Sequence, residues 1–308
     1  MATQANTLDQ SKSSHSLLSI FTPCTAEQRQ QNFESYWEFS QQHAGKIYEE
    51  DRDLEHKRNK RQQFETNQVR SRKPLPDLNA FFRNNVELVD DPETLDQKTL
   101  LMTCIYKFAR HELNGIKGAW DTVPAVDKTT DLKDKISRVH LAEEFCHVRF
   151  FTEMLHTFHL ENIEFPPLGP IETKVYEIFP HFHEALMSPP AFVTELMGMN
   201  FYIQLDEKIC EILDDEPEAR DRLRELLHEI MVDECAHIGQ RRNFMGPIGI
   251  WFSKVMIQPI FKMFTRDIPE IAILFDVDRL IDDAHNFNYS TISQRILDRS
   301  WVPSYCQL

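Results

Sequence analysis

Two Glu-x-x-His pairs constrain this chain more than any other feature: Glu144-Phe-Cys-His147 and Glu234-Cys-Ala-His237, each preceded by a further acid, Glu143 and Asp233. On an α-helix, residues i and i+3 share a face, so each pair presents a carboxylate and an imidazole to the same side. A fold that serves both pairs must set two helices face to face with these polar groups between them. Helical bundles build their metal sites in this way.

The chain contains two more such pairs, Glu153/His156 and Glu225/His228. At about 100° per residue, Glu144 and Glu153 point to opposite sides of one helix, as do Glu225 and Glu234. The Glu144 face carries Ile136, His140, His147, Phe151 and Met154, whereas the Glu153 face carries Lys135, Arg138, Ala142 and Arg149. The Glu234 face carries Leu223, Leu227, Ile230, His237 and Ile238, whereas the Glu225 face carries Glu218, Asp221, Arg222 and Glu229. This pattern predicts that the Glu144 and Glu234 pairs face inward and the other two face solvent. Burying a carboxylate and an imidazole is costly unless something compensates. A metal ion does so best; a metal-free hydrogen-bond network is the alternative.

Two lone carboxylates complete the pattern. Asp91-Pro92 predicts a helix start, and Leu101, Ile105, Phe108, Glu112 and Ile116 form its stripe. Gly115, Gly118 and the segment Asp121–Pro124 predict its end, and the next helix is predicted to begin near Thr130 or Asp131. Antiparallel packing then brings Glu112 level with Glu144. Ser188-Pro189-Pro190 predicts a further helix start, with Ala191, Glu195, Gly198, Met199 and Tyr202 on one stripe and a break at Asp214–Pro217. Glu195 and Glu234 stand at matching distances from that break. The candidate ligands are therefore Glu112, Glu144, His147, Glu195, Glu234 and His237. His140, on the Glu144 face, suits a seventh ligand, a hydrogen-bond donor to bound oxygen, or a satisfied core histidine. Ligating histidines usually give their free N–H to a carboxylate, which predicts Asp233 on His147 and Glu143 on His237. Four carboxylates and two neutral imidazoles nearly balance two divalent ions and suit iron or manganese.

Over residues 91–243 this set resembles the ferritin-like di-iron carboxylate superfamily. The resemblance implies an all-α, ferritin-like four-helix bundle with additional N- and C-terminal helices, holding two iron ions (Fe/Fe, with Mn/Fe as the other form). The run His140, Glu144, His147 is similar in part to arylamine N-oxygenases of the p-aminobenzoate N-oxygenase type. Those enzymes carry the extra histidine on the second Glu-x-x-His helix, where this chain has Ile230. Phe150 and Phe151 stand where ribonucleotide reductase small subunits carry a radical tyrosine, which argues against a tyrosyl radical there.

The resemblance implies a di-iron oxygenase or oxidase that uses dioxygen on a small organic substrate, by hydroxylation, N-oxygenation or desaturation. Ala191, Gly198, Met199, Tyr202 and Phe151 are the expected pocket residues. No flavin or nicotinamide fingerprint is present, so electrons are expected from a separate reductase or ferredoxin. The alternatives are a ferroxidase or metal-handling protein without an organic substrate, and a metal-free helical interaction protein.

Elsewhere the chain reads as one helical domain over residues 25–308, after a disordered segment at 1–24. Residues 25–70 predict a long polar helix, and the charge run at 49–61 a solvated face. In the connection at 162–188, the segment Phe179–His183 suits an entrance, with His181 and His183 at the surface. The apolar stretch at 244–264 is interrupted by Pro247, Lys254, Pro259 and Lys262, which argues against a membrane span. It suits a helical cover over the bundle, a homodimer face, or a wall of a hydrophobic pocket. The six cysteines show neither disulfide nor zinc spacing, and residues 1–19 carry no apolar signal core, so a cytoplasmic protein is expected. A net charge of −15 argues against nucleic acid as a partner.

Overall fold

The computed structural model describes residues 18–307. Its four long helices carry all the candidate ligands: α4 (Gln97–Trp120), α5 (Leu132–Thr157), α7 (Glu184–Ile212) and α8 (Pro217–Asn243). Before them come α1 (Ala26–His43), a hairpin of β1 (Ile47–Tyr48) and β2 (Asp53–Leu54), α2 (Glu55–Thr66) and α3 (Leu78–Asn84). Between the halves lies α6 (Pro170–Ile178). After the bundle come α9 (Pro247–Asp267), α10 (Glu270–Leu274), α11 (Val277–His285) and α12 (Gln294–Leu297). The fold is an all-α bundle with added helices at both ends, and β1/β2 is the only sheet among the described residues.

Side-chain caps set two of the bundle starts. Asp96 accepts from the Thr99 amide at 3.0 Å to open α4, and Asp131 accepts from the Lys133 amide at 2.8 Å to open α5. The predicted start at Asp91-Pro92 is instead a separate 3₁₀ turn, Pro92–Thr94. Gly115 and Gly118 do not end α4, which runs on to Trp120. They are close-approach points for α6: a Cβ on Gly118 would stand 3.0 Å from the Tyr176 carbonyl oxygen. Likewise α7 begins at Glu184, with the His183 ring capping the Ala185 amide at 3.2 Å. The helix passes through Pro189 and Pro190, each of which gives up one backbone hydrogen bond.

The bundle interior is aromatic on one side of the ligand set. Phe108 stacks on Phe201 with ring centroids 4.5 Å apart and also meets Phe151, Tyr202 and Phe264. Helix α9 packs along α7 through Ile257 and Phe261, as a cover should, yet leaves Ile248, Trp251 and Val255 more than half exposed.

Four further expectations need correction. Residues 25–70 are not one helix; the hairpin divides them. The run at 49–61 is not uniformly solvated, since Asp53 and Lys57 are buried. The hairpin lays Asp53 against α5, where it accepts from Cys146 at 3.2 Å, Arg58 at 2.9 Å and Arg61 at 3.2 Å. For the same reason Arg138, on the supposed solvent face, is buried against the Trp120 ring and bonded to Glu49. Finally, the described part of the 1–24 segment is packed. Ile20 is fully buried, and the Leu18 amide donates to the Cys306 carbonyl at 2.8 Å. The rest of that segment lies outside the described residues.

Candidate metal centre

The two inward pairs meet on α5 and α8, which run antiparallel. His147 on α5 faces Asp233 on α8 at 2.9 Å, and His237 on α8 faces Glu143 on α5 at 2.8 Å. Both contacts are made by Nε2, so in both rings Nδ1 is turned inward. This is the predicted exchange: the acid before each pair holds the imidazole of the other.

The ligand candidates converge as two groups that share Glu144. One is Glu112, Glu144, His147 and Glu234; the other is His140, Glu144, Glu195 and His237. Within each group, one ligand atom per residue lies within 4.8 Å of the others. His147 Nδ1 is 3.4 Å from Glu112 Oε1, 3.4 Å from Glu144 Oε2 and 3.2 Å from Glu234 Oε1. His237 Nδ1 is 3.0 Å from Glu144 Oε1. His140 Nε2 lies 3.2 Å from Glu144 Oε1 and 3.3 Å from Glu195 Oε1. All seven sequence candidates are thus brought together. Glu153/His156 and Glu225/His228 stay outside: Glu153 and His156 pair with each other at 3.2 Å, and His228 faces Asp206 at 3.1 Å.

These residues fit a pair of metal ions on three counts. Both Glu112 oxygens and the Nδ1 atoms of His147 and His237 are fully enclosed, and none has a hydrogen-bond partner of good geometry. Orphaned buried polar atoms of this kind are rare and costly. Next, the donors are carboxylate oxygens and imidazole nitrogens, the set that suits iron and manganese. Last, the charges close. The four candidate-ligand carboxylates with Glu143 and Asp233 are offset by Lys57, 2.8 Å from Asp233, and Arg241, 3.2 Å from Glu195. With the histidines neutral, the remaining negative charge equals that of two divalent ions.

Without metal the same crowding distorts the titration. Burial pushes Glu112 well above the usual carboxylate range, with Glu144 and Glu234 adding to the effect. Burial and then the Glu144 charge push Glu234 up to about 8. Burial also opposes ionisation of Glu144, but His147, His140 and His237 outweigh it and hold it well below the usual range. For His147 burial disfavours the charged ring, yet Glu144, Asp233 and Glu112 overcome this and raise it well above the ordinary imidazole value. His237 behaves alike under Glu143 and Glu144. Protons thus stand in for cations.

An approximate two-fold relation links the halves, exchanging Glu112 with Glu195, Glu144 with Glu234, His147 with His237 and Glu143 with Asp233. Among the residues that α5 and α8 set against the candidate ligands it fails at two places, both at the second group, and Lys57 of α2, which faces Asp233, is a further asymmetry. Where α5 has His140, α8 has Ile230, and where α8 has Arg241, α5 has Phe151.

The expected pocket residues are placed less openly. Phe151, Met199 and Tyr202 are fully buried. A Cβ on Gly198 would meet the Tyr202 ring at 3.5 Å, an ordinary van der Waals contact, so that ring bounds the space beside Gly198. Ala191 is only half-buried. Sequence reasoning missed Lys57 and Arg241. Lys57 was hidden in a charge run. Arg241 stands one turn beyond His237 on the same face, which a reading of that face carried one turn further would have found.

No described helix is long and apolar enough to cross a membrane. Comparison of the chain with protein-family models, with curated proteins and with solved structures gives no match.

Proposed function

We propose that the chain is a dinuclear iron oxygenase or oxidase of the ferritin-like type, acting on a small organic substrate with dioxygen and an external electron donor. One observation carries this reading: two four-residue ligand groups share Glu144 and are held by acids crossed between their helices. Two ferrous ions, when bound, would supply the electrons and open coordination for dioxygen.

The chain's own residues have definable tasks. Glu112, Glu144, His147 and Glu234 would hold one ion; Glu144, Glu195 and His237, with His140, the other. Asp233 and Glu143 take the outer N–H of each ligating ring, fix its tautomer and keep the Nδ1 lone pair directed inward. Lys57 keeps Asp233 ionised, so that it accepts the His147 proton rather than donating one. The Phe108, Phe151, Phe201 and Tyr202 cluster excludes water beside the carboxylates, which strengthens every charge interaction there. Burial, with the surrounding carboxylates, raises the Tyr202 hydroxyl well above its ordinary range and keeps it protonated.

The test is metal content and oxygen reactivity. Protein from iron-supplemented cells should hold about two irons per chain, and the reduced protein should change its absorbance when dioxygen is admitted. Absence of metal after anaerobic reconstitution would sink the reading. A ferroxidase made by the same ligands would instead oxidise many ferrous ions per chain without an organic substrate.

A further inference from the structure

The outward face of α9 is apolar and basic, and nothing among the described residues covers it. Ile257 and Phe261 turn inward onto α7. Directly opposite them, at about 100° per residue, stand Ile248, Trp251, Phe252, Val255 and Met263. Ile248 is 82% exposed and Trp251 65%. Single exposed apolar residues are ordinary on a protein surface, but a continuous stripe of them marks a contact face. The apolar area extends beyond α9. Phe264 of α9 meets His111 of α4 with ring centroids 5.8 Å apart. One turn along α4, a Cβ on Gly115 would meet the Tyr176 ring of α6 at 3.6 Å. Helix α6 and the end of α9 therefore lie side by side on the bundle, and α6 turns outward its own stripe of Ile171, Val175 and Ile178.

The charges on this face narrow what can cover it. The chain has a net charge of −15, yet the exposed charged side chains of α9 are all basic: Lys254 beside the stripe, Lys262 and Arg266 at its end. Among the described residues the only ion pair made by this helix joins Arg266 to Asp267, its last residue, at 3.5 Å. Lys254 and Lys262 are thus left to solvent. On α6 the exposed acid Glu177 is paired with Lys174 at 3.1 Å. A second copy of the chain fits this pattern badly. Laid face to face, two such surfaces would set bases against bases with no acid to receive them, which is unfavourable.

We propose that this face docks on an anionic lipid surface, with α9 lying in the plane of the headgroups. An apolar stripe rimmed by bases is what such a contact requires. The Trp251 ring suits the headgroup level, and the lysine stems can run beside the stripe while their ammonium groups reach lipid phosphates. No described helix is long and apolar enough to cross a membrane, so the contact is interfacial. The acidity of the rest of the chain is no obstacle, because charges beyond about 8–10 Å are screened at physiological salt. It turns the other faces away from anionic lipid and leaves this one to approach. The inference does not depend on the dinuclear reading.

The experiment uses the full chain with vesicles of phosphatidylcholine, alone or mixed with phosphatidylglycerol. The protein should sediment with the mixed vesicles and stay in solution with the neutral ones, and added salt should weaken the binding. Lipids brominated in the upper acyl chain should quench the fluorescence of Trp251, since Trp37 is half-buried and Trp120 and Trp301 are buried; this readout needs no variant. Trp251→Ser/Val255→Ser should lower partitioning by about tenfold or more. Lys254→Glu/Lys262→Glu should lower it by about 30-fold or more, each base near an anionic surface contributing about fivefold. Val89→Ser, at a side chain as exposed as Trp251 but remote from α9 in sequence, should bind as wild type does. No binding to the mixed vesicles, or equal binding to both kinds, would overturn the inference. So would binding that both double variants retain. A dimer in sedimentation velocity that Trp251→Ser/Val255→Ser abolishes, with no vesicle binding, would assign the face to a second copy instead.

Discussion

Lys57 Nζ and Asp233 Oδ2 lie 2.8 Å apart, with only 7% and 8% of their side-chain surface exposed. The same Asp233 oxygen receives His147 Nε2 at 2.9 Å. A helix outside the bundle therefore supplies the charge that allows a bundle acid to orient a candidate ligand. Lys57→Met takes from buried Asp233 one of its two cationic partners, His147 being the other, and should cost about 1.5–3 kcal/mol, read from urea unfolding of the metal-free protein. The double variant Lys57→Met/Asp233→Asn, which removes both charges, should recover a large part of that. A single variant as stable as wild type would show that the pair is not coupled to the fold.

The sharing of Glu144 predicts an uneven response to ligand removal. Glu144→Ala should abolish binding of both ions, whereas Glu112→Ala and Glu195→Ala should each lose about one, because each belongs to a single group. Metal analysis of the three purified variants checks this. Equal losses in all three would contradict the division into two groups.

Asp233→Asn and Glu143→Gln keep the shape of the outer partners but remove their charge. Each should weaken metal affinity by about 10- to 100-fold, the usual effect of removing an acid behind a ligating histidine. Competition with a chelator of known affinity gives the number. An unchanged affinity in both would reduce these acids to structural contacts.

Metal-free protein should lose stability as pH rises from neutral. Glu234 is raised by burial and by Glu144, from 4.5 to about 8. The unfolded chain therefore gives up that proton first, and folding is penalised across the whole interval. His147 and His237, also raised, add stability that is complete below 6.5 and fades as pH climbs through their folded values. Glu144 and Glu195 are lowered and act in the opposite direction, but only in acid. Thermal melts at pH 6, 7 and 8 should show Tm falling for metal-free protein and a flatter response once metal has displaced the protons. A metal-free Tm that rises over this range would refute the account.

Gly239 on α8 faces the C-terminal segment. A Cβ there would lie 2.6 Å from Pro303 Cγ and 2.8 Å from the Trp301 ring. Both are parts of rigid rings, so Gly239→Ala should destabilise by about 1–3 kcal/mol through overpacking. Guanidinium unfolding of the purified variant would measure it.

Much of the centre was legible because helical periodicity is a local property. The faces of α5 and α8, the crossed roles of Glu143 and Asp233, and the levels of Glu112 and Glu195 all follow from counting residues along helices and across turns. What escaped depends on contacts distant in sequence. Arg138 and Lys57 read as solvent residues because nothing local reveals that the β1/β2 hairpin and α2 lie over α5 and α8. The glycines of α4 read as breaks because their partner, Tyr176 on α6, belongs to another element. At Gly198 the missing side chain suggested space for a substrate, but the ring of Tyr202, one turn on, walls it at 3.5 Å from a would-be Cβ.

The crossed acids have a mechanical consequence. If α5 slid along α8 by a single turn, His147 would leave Asp233 and His237 would leave Glu143 in the same movement, and both imidazoles would swing loose together. Neither half of the centre can be aligned while its twin is out of step. The protein thus has one alignment to get right, and the ratchet that sets it is made of the residues that stand behind the candidate ligands.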